Sequence, residues 1–277
     1  ATPLDKFWKP LRDYCDKKSI LFFSTPMSRG AAVLLNNLGV KLWKIGSGDI
    51  LDFVMLDYIA GTGKPIVLSS GMSTLTELEK SIEFIKKRND EIVLLHAVSQ
   101  YPCPIENLNL KTIGFLAEKF NLPVGFSDHS LGRQSAVMAA ALGACVIEKH
   151  FSLNRNFWGA DHKVSILPDE FKKMVSLIRA AESDSPRIDR LVDKKVLGKM
   201  GKFLQKDEAA FRPIFRKTLV AARNIKKGTV ITPPMLYAMR PQKYLKGLGS
   251  EHYEKVLGSQ AARDMKKLAP IKKIFLI

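Results

Sequence analysis

The sequence runs to 277 residues, 46% apolar and 26% charged, enough for one sizeable core and a smaller module. No apolar stretch approaches the roughly 20 residues that span a bilayer, and residues 1–6 do not resemble a secretory signal, so a cytoplasmic protein without membrane contact is expected. Three widely spaced cysteines lack any C-x-x-C pattern, which argues against a disulfide framework and against a thiolate zinc site.

In chain order, residues 4–17 read as a helix. Apolar runs of β-branched and aromatic character then recur at 20–23, 42–45, 65–68, 91–98, 123–126 and 144–147. Between them, residues 31–38, 75–87, 110–120 and 134–142 carry helical periodicity, and 168–181 opens with Pro168 followed by Asp169 and Glu170 at its positive end. Alternating strands and helices imply a parallel sheet or barrel. Six βα units are visible where a (β/α) barrel needs eight. The expected fold is a TIM-type (β/α) barrel over residues 1–183 lacking its first two units, with an open doubly wound sheet as the alternative.

Residues 184–214, charged and broken by Gly198, Gly201 and Pro213, read as a linker. Residues 215–277 change texture: short extended runs at 218–222, 229–231 and 236–239 predict a small, mostly β module. The net charge of +17 collects there, with 14 Lys/Arg against 3 Asp/Glu, whereas residues 1–183 hold 22 against 19. Such a patch can be plain solvated surface, steer an anionic small substrate, or contact nucleic acid.

Two strand ends, Phe126-Ser127-Asp128-His129 and Glu148-Lys149-His150-Phe151, each deliver a histidine about one βα repeat apart. Neighbouring barrel strands bring such ends together on the face that carries chemistry, and neutral imidazoles suit a divalent metal. A lone histidine would read as a satisfied core or surface residue, but two at matching strand ends point to a metal site. Glu148, two before His150, shares its side of the strand and reads as a carboxylate behind the metal ligands or as a base. Asp128 should point the other way, into a barrel-to-helix salt bridge. Lys44-Ile45-Gly46-Ser47-Gly48-Asp49 reads either as a phosphate or carboxylate cradle or as an ordinary tight turn. Tyr101, between Ser99-Gln100 and Pro102, either offers its hydroxyl to an anion or covers the barrel mouth. Asp161 suits sugar hydroxyls, and His162 reads as a surface residue.

Taken in order, Phe23-Ser24-Thr25-Pro26, Trp43 through Asp49, Leu68-Ser69-Ser70-Gly71-Met72, Tyr101-Pro102 and the two histidine motifs resemble the sialic acid (N-acetylneuraminate) synthase family. Ala221-Ala222-Arg223-Asn224-Ile225, Lys227 through Thr232 and Arg240-Pro241 are similar to the antifreeze-like SAF domain, a β-clip fold. The resemblance implies condensation of phosphoenolpyruvate with an open-chain 2-acetamido sugar, N-acetylmannosamine or a relative, to a nonulosonic acid and phosphate. It also implies a divalent ion on His129 and His150, Mn²⁺ first with Mg²⁺ or Co²⁺ as alternatives. Lys44 and Glu148 then fall on catalytic positions, and Ser47, Ser99, Tyr101, Ser127 and Asp161 on substrate-binding ones. Arg240 matches an arginine that the SAF domain inserts into a neighbouring barrel, which implies a domain-swapped homodimer. Ser99 departs from the asparagine of well-known bacterial members. So does the stretch 158–162 from their Gly-Pro-Asp pattern, and legionaminic or pseudaminic acid are therefore alternative products. Because the family begins with two further strands, this chain is expected to be an incomplete barrel and weak or inactive alone. The rival readings are another metal-dependent aldolase and, remotely, a nucleic-acid binder; no nucleic acid is expected.

Overall fold

The computed structural model describes residues 4–183 and 193–277. A short π-type turn, Leu4–Trp8, leads into α1 (Lys9–Lys17) and α2 (Arg29–Leu38). Then come β1 (Trp43–Ile45), α3 (Phe53–Ala60), β2 (Ile66–Ser69), α4 (Leu75–Lys86), β3 (Ile92–Ala97), α5 (Thr112–Phe120), β4 (Val124–Asp128), α6 (Gln134–Ala141), β5 (Ile147–Lys149) and α7 (Pro168–Ser183). After these follow α8 (Lys206–Phe215), β6 (Thr218–Ala221), β7 (Leu236–Met239), α9 (Gln242–Leu245) and α10 (Tyr253–Val256). The first five strands make one sheet in the order β1-β2-β3-β4-β5. Parallel pairing of consecutive strands needs a crossover such as these helices supply, and β3–β4 and β4–β5 pair in parallel. The result is a partial (β/α) barrel.

Residues 20–23 differ from expectation: they join no strand, and Ile20, Leu21 and Phe23 are 61%, 53% and 41% exposed. An apolar β-branched run becomes a strand only where a neighbour accepts its ladder, and propensity alone does not supply one. Among the described residues no helix is long and apolar enough to cross a membrane.

Two compact units divide the chain. The first comprises Ala1–Val67, Thr76–Glu91 and Phe211–Ile277. Within it α2 is bounded by its own sequence: Ser28 accepts from the Ala31 N–H, and Gly39 takes the left-handed φ of 88° that ends the helix without a Cβ penalty. Trp43, Ile45, Ile50, Met55, Leu56, Ile59, Leu78 and Ile85 are fully buried. In the C-terminal module β6 and β7 pair antiparallel, Thr218 opposite Met239, while residues 229–231 contribute only the isolated bridge Val230–Gln260.

The second unit comprises Leu68–Leu75 and Ile92–Ala210. Between β3 and β5, β4 leaves no room for a side chain at Gly125. A Cβ there would lie 2.5 Å from the Val146 carbonyl oxygen and 2.7 Å from Leu95 Cδ2. Of the stretch expected to be a linker, residues 184–192 lie outside the described residues, but α8 begins at Lys206 and does more than connect. Glu208 is wholly buried, and its carboxylate accepts from three backbone N–H groups: Met72 at 2.9 Å, Ser99 at 2.8 Å and Gln205 at 3.0 Å. The Gln205 bond is the return half of a capping box; the other two tie down the chain just beyond β2 and β3. Gln100 adds a bond to Asp207 at 2.9 Å.

Two measurements follow from these buried groups. Glu208→Ala would strand buried N–H groups at about 1–3 kcal/mol each, so a stability loss of a few kcal/mol is expected in urea unfolding; a loss within about 0.5 kcal/mol would contradict this account. His96 is 3% exposed, its Nε2 lies 2.6 Å from the Leu108 carbonyl, and burial pushes its pKa from 6.5 down to about 4. The unfolded chain therefore takes up the proton first: this group's contribution is complete above pH 6.5 and is lost as pH falls towards 4. Urea titrations at pH 7 and pH 4.5 should show His96→Phe removing part of the acid-induced loss, on the order of 2 kcal/mol.

Candidate active site

The register of β4 on β5 sets the site. Ser127 lies opposite Glu148 and Asp128 opposite Lys149. Side chains alternate along each strand, so Ser127 and Glu148 share one face and Asp128 and Lys149 the other. Ser127 Oγ donates to Glu148 Oε1 at 2.6 Å. Lys149 Nζ donates to Asp128 Oδ2 at 2.7 Å, with 1% and 0% of the two side chains exposed. This corrects the barrel-to-helix salt bridge expected for Asp128: its partner stands on the adjacent strand, directly across.

One residue beyond the end of each strand stand His129 and His150, with ring centroids 5.4 Å apart and planes tilted by 54°. Tyr101 packs beside both, 4.3 Å from the His129 ring and 5.7 Å from that of His150. His129 Nδ1 lies 2.7 Å from the Val98 carbonyl oxygen. A carbonyl only accepts, so Nδ1 carries the proton and Nε2 keeps its lone pair. Burial, then the nearby His150, lower the His129 pKa and favour this neutral form. Burial and then the charge of Asp161 hold the Tyr101 phenol above its ordinary 10, so it is a hydrogen-bond donor at neutral pH, although half of the residue's surface is exposed.

Ser99 is buried behind Tyr101, its N–H held by Glu208. Asp161 stands exposed on the turn Ala160–Val164. His162 is tied inward, Nδ1 2.8 Å from Ser152 Oγ, where the sequence suggested a surface residue. A cavity of about 140 Å³ is lined by Ser127, Asp128, Glu148, Lys149 and His150. Seven of the ten expected site residues thus fall in the second unit.

Lys44, Ser47 and Arg240 belong to the first unit. Lys44 is buried on β1, its Nζ 3.3 Å from the Ile45 carbonyl oxygen, and Ser47 opens the turn Ser47–Asp49. The glycine at 48 has a packing reason: a Cβ there would meet the Phe215 ring at 2.9 Å. Arg240 lies over that same ring, 5.7 Å from its centroid, with Nη1 3.7 Å from Asp49 of its own chain. Lys217, which sequence reasoning passed over, sits buried between Asp49 and Asp52, 2.7 Å from each. Its only sequence signal was a lysine at the first apolar run of the basic module.

Among the described residues no three His, Cys, Asp or Glu side chains group to hold a metal ion. The fit is that of a two-imidazole site: His129 has the second hydrogen bond that orients a ligating ring, and the neutral form a metal requires.

The sequence profile of the NeuB family matches residues 3–187, and that of the SAF domain matches residues 216–274. The N,N'-diacetyllegionaminic acid synthase of Campylobacter jejuni is 38% identical over 95% of this chain and 75% of its own. The crystal structure of the spore coat polysaccharide biosynthesis protein SpsE from Bacillus subtilis superposes with a TM-score of 0.86 at 32% identity, covering 100% of this chain and 78% of that one. The N-acetylneuraminic acid synthetase of Leptospira borgpetersenii, solved with citrate, gives a TM-score of 0.60 at 34% identity over 73% of this chain and 67% of its own. The paired strand-end histidines, the partial barrel and the matched profile agree: the chain belongs to the NeuB family.

Proposed function

We propose that this protein condenses phosphoenolpyruvate with the open-chain aldehyde of a 2-acetamido sugar, forming a nine-carbon 2-keto acid (a nonulosonic acid) and inorganic phosphate. The observation that carries the reading is the convergence of His129 and His150 beside Glu148 and Ser127 in a NeuB-family chain. His129 and His150 would hold a divalent ion, Mn²⁺ first among the candidates, which when bound supplies Lewis-acid polarisation of the aldehyde oxygen. C3 of phosphoenolpyruvate bonds to the aldehyde carbon, whose oxygen takes up a proton as the new hydroxyl. Water adds at C2, and loss of phosphate from C2 leaves the keto group.

Each side chain then has a task. Glu148, its carboxylate oriented by Ser127, accepts the proton that the incoming water sheds. Tyr101, kept protonated, donates to a substrate oxygen. Lys44, Ser47, Ser99 and Ser127 bind the phosphate and carboxylate of phosphoenolpyruvate, with Lys44 balancing the charge released on phosphate. Asp161 takes sugar hydroxyls. Arg240 belongs to the same reading through exchange between two copies in a homodimer, and the basic C-terminal module favours arrival of an anionic substrate. A 2,4-diacetamido sugar, leading to a legionaminic acid, is the second reading; the 38% identity to the Campylobacter jejuni synthase favours it.

Phosphate release from phosphoenolpyruvate is to be followed against a panel of mono- and diacetamido sugars, with Mn²⁺ and with a chelator. Release that requires both sugar and Mn²⁺ is expected, and release indifferent to the sugar would sink the synthase reading. His129→Ala and His150→Ala should each lower the rate by about 100-fold or more while leaving the unfolding curve near that of the parent. Light scattering should give a particle of twice the 31.0 kDa chain mass. A monomer that turns over at full rate would remove Arg240 exchange from the mechanism.

A further inference from the structure

We propose that Asp128 and Lys149 form a positioning pair that sets the spacing and orientation of His129 and His150, an inference that rests on the metal-dependent reading above. The argument is one of register. Asp128 and Lys149 face each other across β4 and β5, and each immediately precedes one of the imidazoles. Lys149 Nζ grips residues on both sides of His129, donating to Asp128 Oδ2 at 2.7 Å and to the Ser130 carbonyl oxygen at 2.5 Å. Asp128 Oδ1 closes the loop from the other side, accepting from the Ser130 N–H at 2.8 Å and the Ser130 hydroxyl at 2.7 Å. The backbone at residue 129 is thereby clamped at 128 and at 130 by an ammonium on the residue next to His150. With the Nδ1 proton of His129 committed to Val98, one ring is fixed in rotation as well as in place.

Burial makes this costly arrangement informative. Both side chains are essentially excluded from water, and two such charges seldom stabilise a fold more than apolar residues of the same volume would. Their return is a single geometry, since a slip of one residue between β4 and β5 would put the two histidines on opposite faces. Alternation sets the pair apart from Ser127 and Glu148, and what it grips is the backbone that carries His129.

The test removes both charges together, Asp128→Asn with Lys149→Met, so that no lone ion is left buried. Two readouts are taken besides thermal unfolding: Mn²⁺ affinity by electron paramagnetic resonance titration, and the His129 ring N–H signal in nitrogen-15 NMR of the metal-free protein. The expected result is a melting temperature close to that of the parent, Mn²⁺ binding weakened 10- to 100-fold, and loss of the protected ring N–H signal. A folded double variant that keeps both the parent Mn²⁺ affinity and the ring signal overturns the proposal. If the double variant does not fold, Lys149→Arg, which keeps the charge but alters the grip, takes its place under the same criteria. Should the parent itself bind no Mn²⁺, the metal reading fails on its own account. The ring signal then decides the pair: its loss supports positioning, and its persistence refutes it.

Discussion

Parallel pairing imposes a constraint that everything else at this site inherits: residues directly across from one another share a face, and the next pair takes the other. Ser127 with Glu148 and then Asp128 with Lys149 form the last two rungs, and the two histidines follow immediately beyond the paired residues. The first of these rungs looks toward the chemistry, and the second locks the ladder. Gly125 lets the Val146 carbonyl close in on β4 two residues before Ser127, which a side chain would prevent. The register of the sheet thus brings the two rings near one another.

Buried charge is used in the same manner elsewhere. Glu208 is matched by three N–H groups, and Lys217 by two carboxylates and the Met27 carbonyl oxygen. Compared with apolar residues of the same volume, such buried charges add little net stability, because desolvation consumes most of the attraction, but each admits only one arrangement of the segments it joins. Around Asp49, burial raises the carboxyl pKa while Lys217 and Arg240 oppose it.

Five of the strands and both histidines were legible because their signals are local: apolar β-branched runs bounded by glycine and hydroxyl residues, with a titratable side chain at the close. Residues 20–23 carry the same local signal without a ladder partner, and propensity misplaced them. Glu208 was illegible for the opposite reason. Its neighbours, charged and followed by Pro213, resemble a connector, and its N–H partners lie 109 and 136 residues away in sequence. The one trace was a glutamate at the third position of a short helix, the acidic half of a capping box. Asp128 was assigned to the correct face but to the wrong partner, since alternation gives direction while only the register names what stands opposite.

The reach of Glu208 has a bearing on how such a protein is made and divided. A ribosome that has released the chain through β5 has exposed the amides of Met72 and Ser99 but not the carboxylate that will receive them. The bonds that tie the loops beyond β2 and β3 to Glu208 can form only after translation passes residue 208. The stretch matched by the NeuB profile ends at residue 187, so a cut at that family boundary would sever the loops from the carboxylates of Asp207 and Glu208. Homology and autonomous folding draw their borders at different places in this chain.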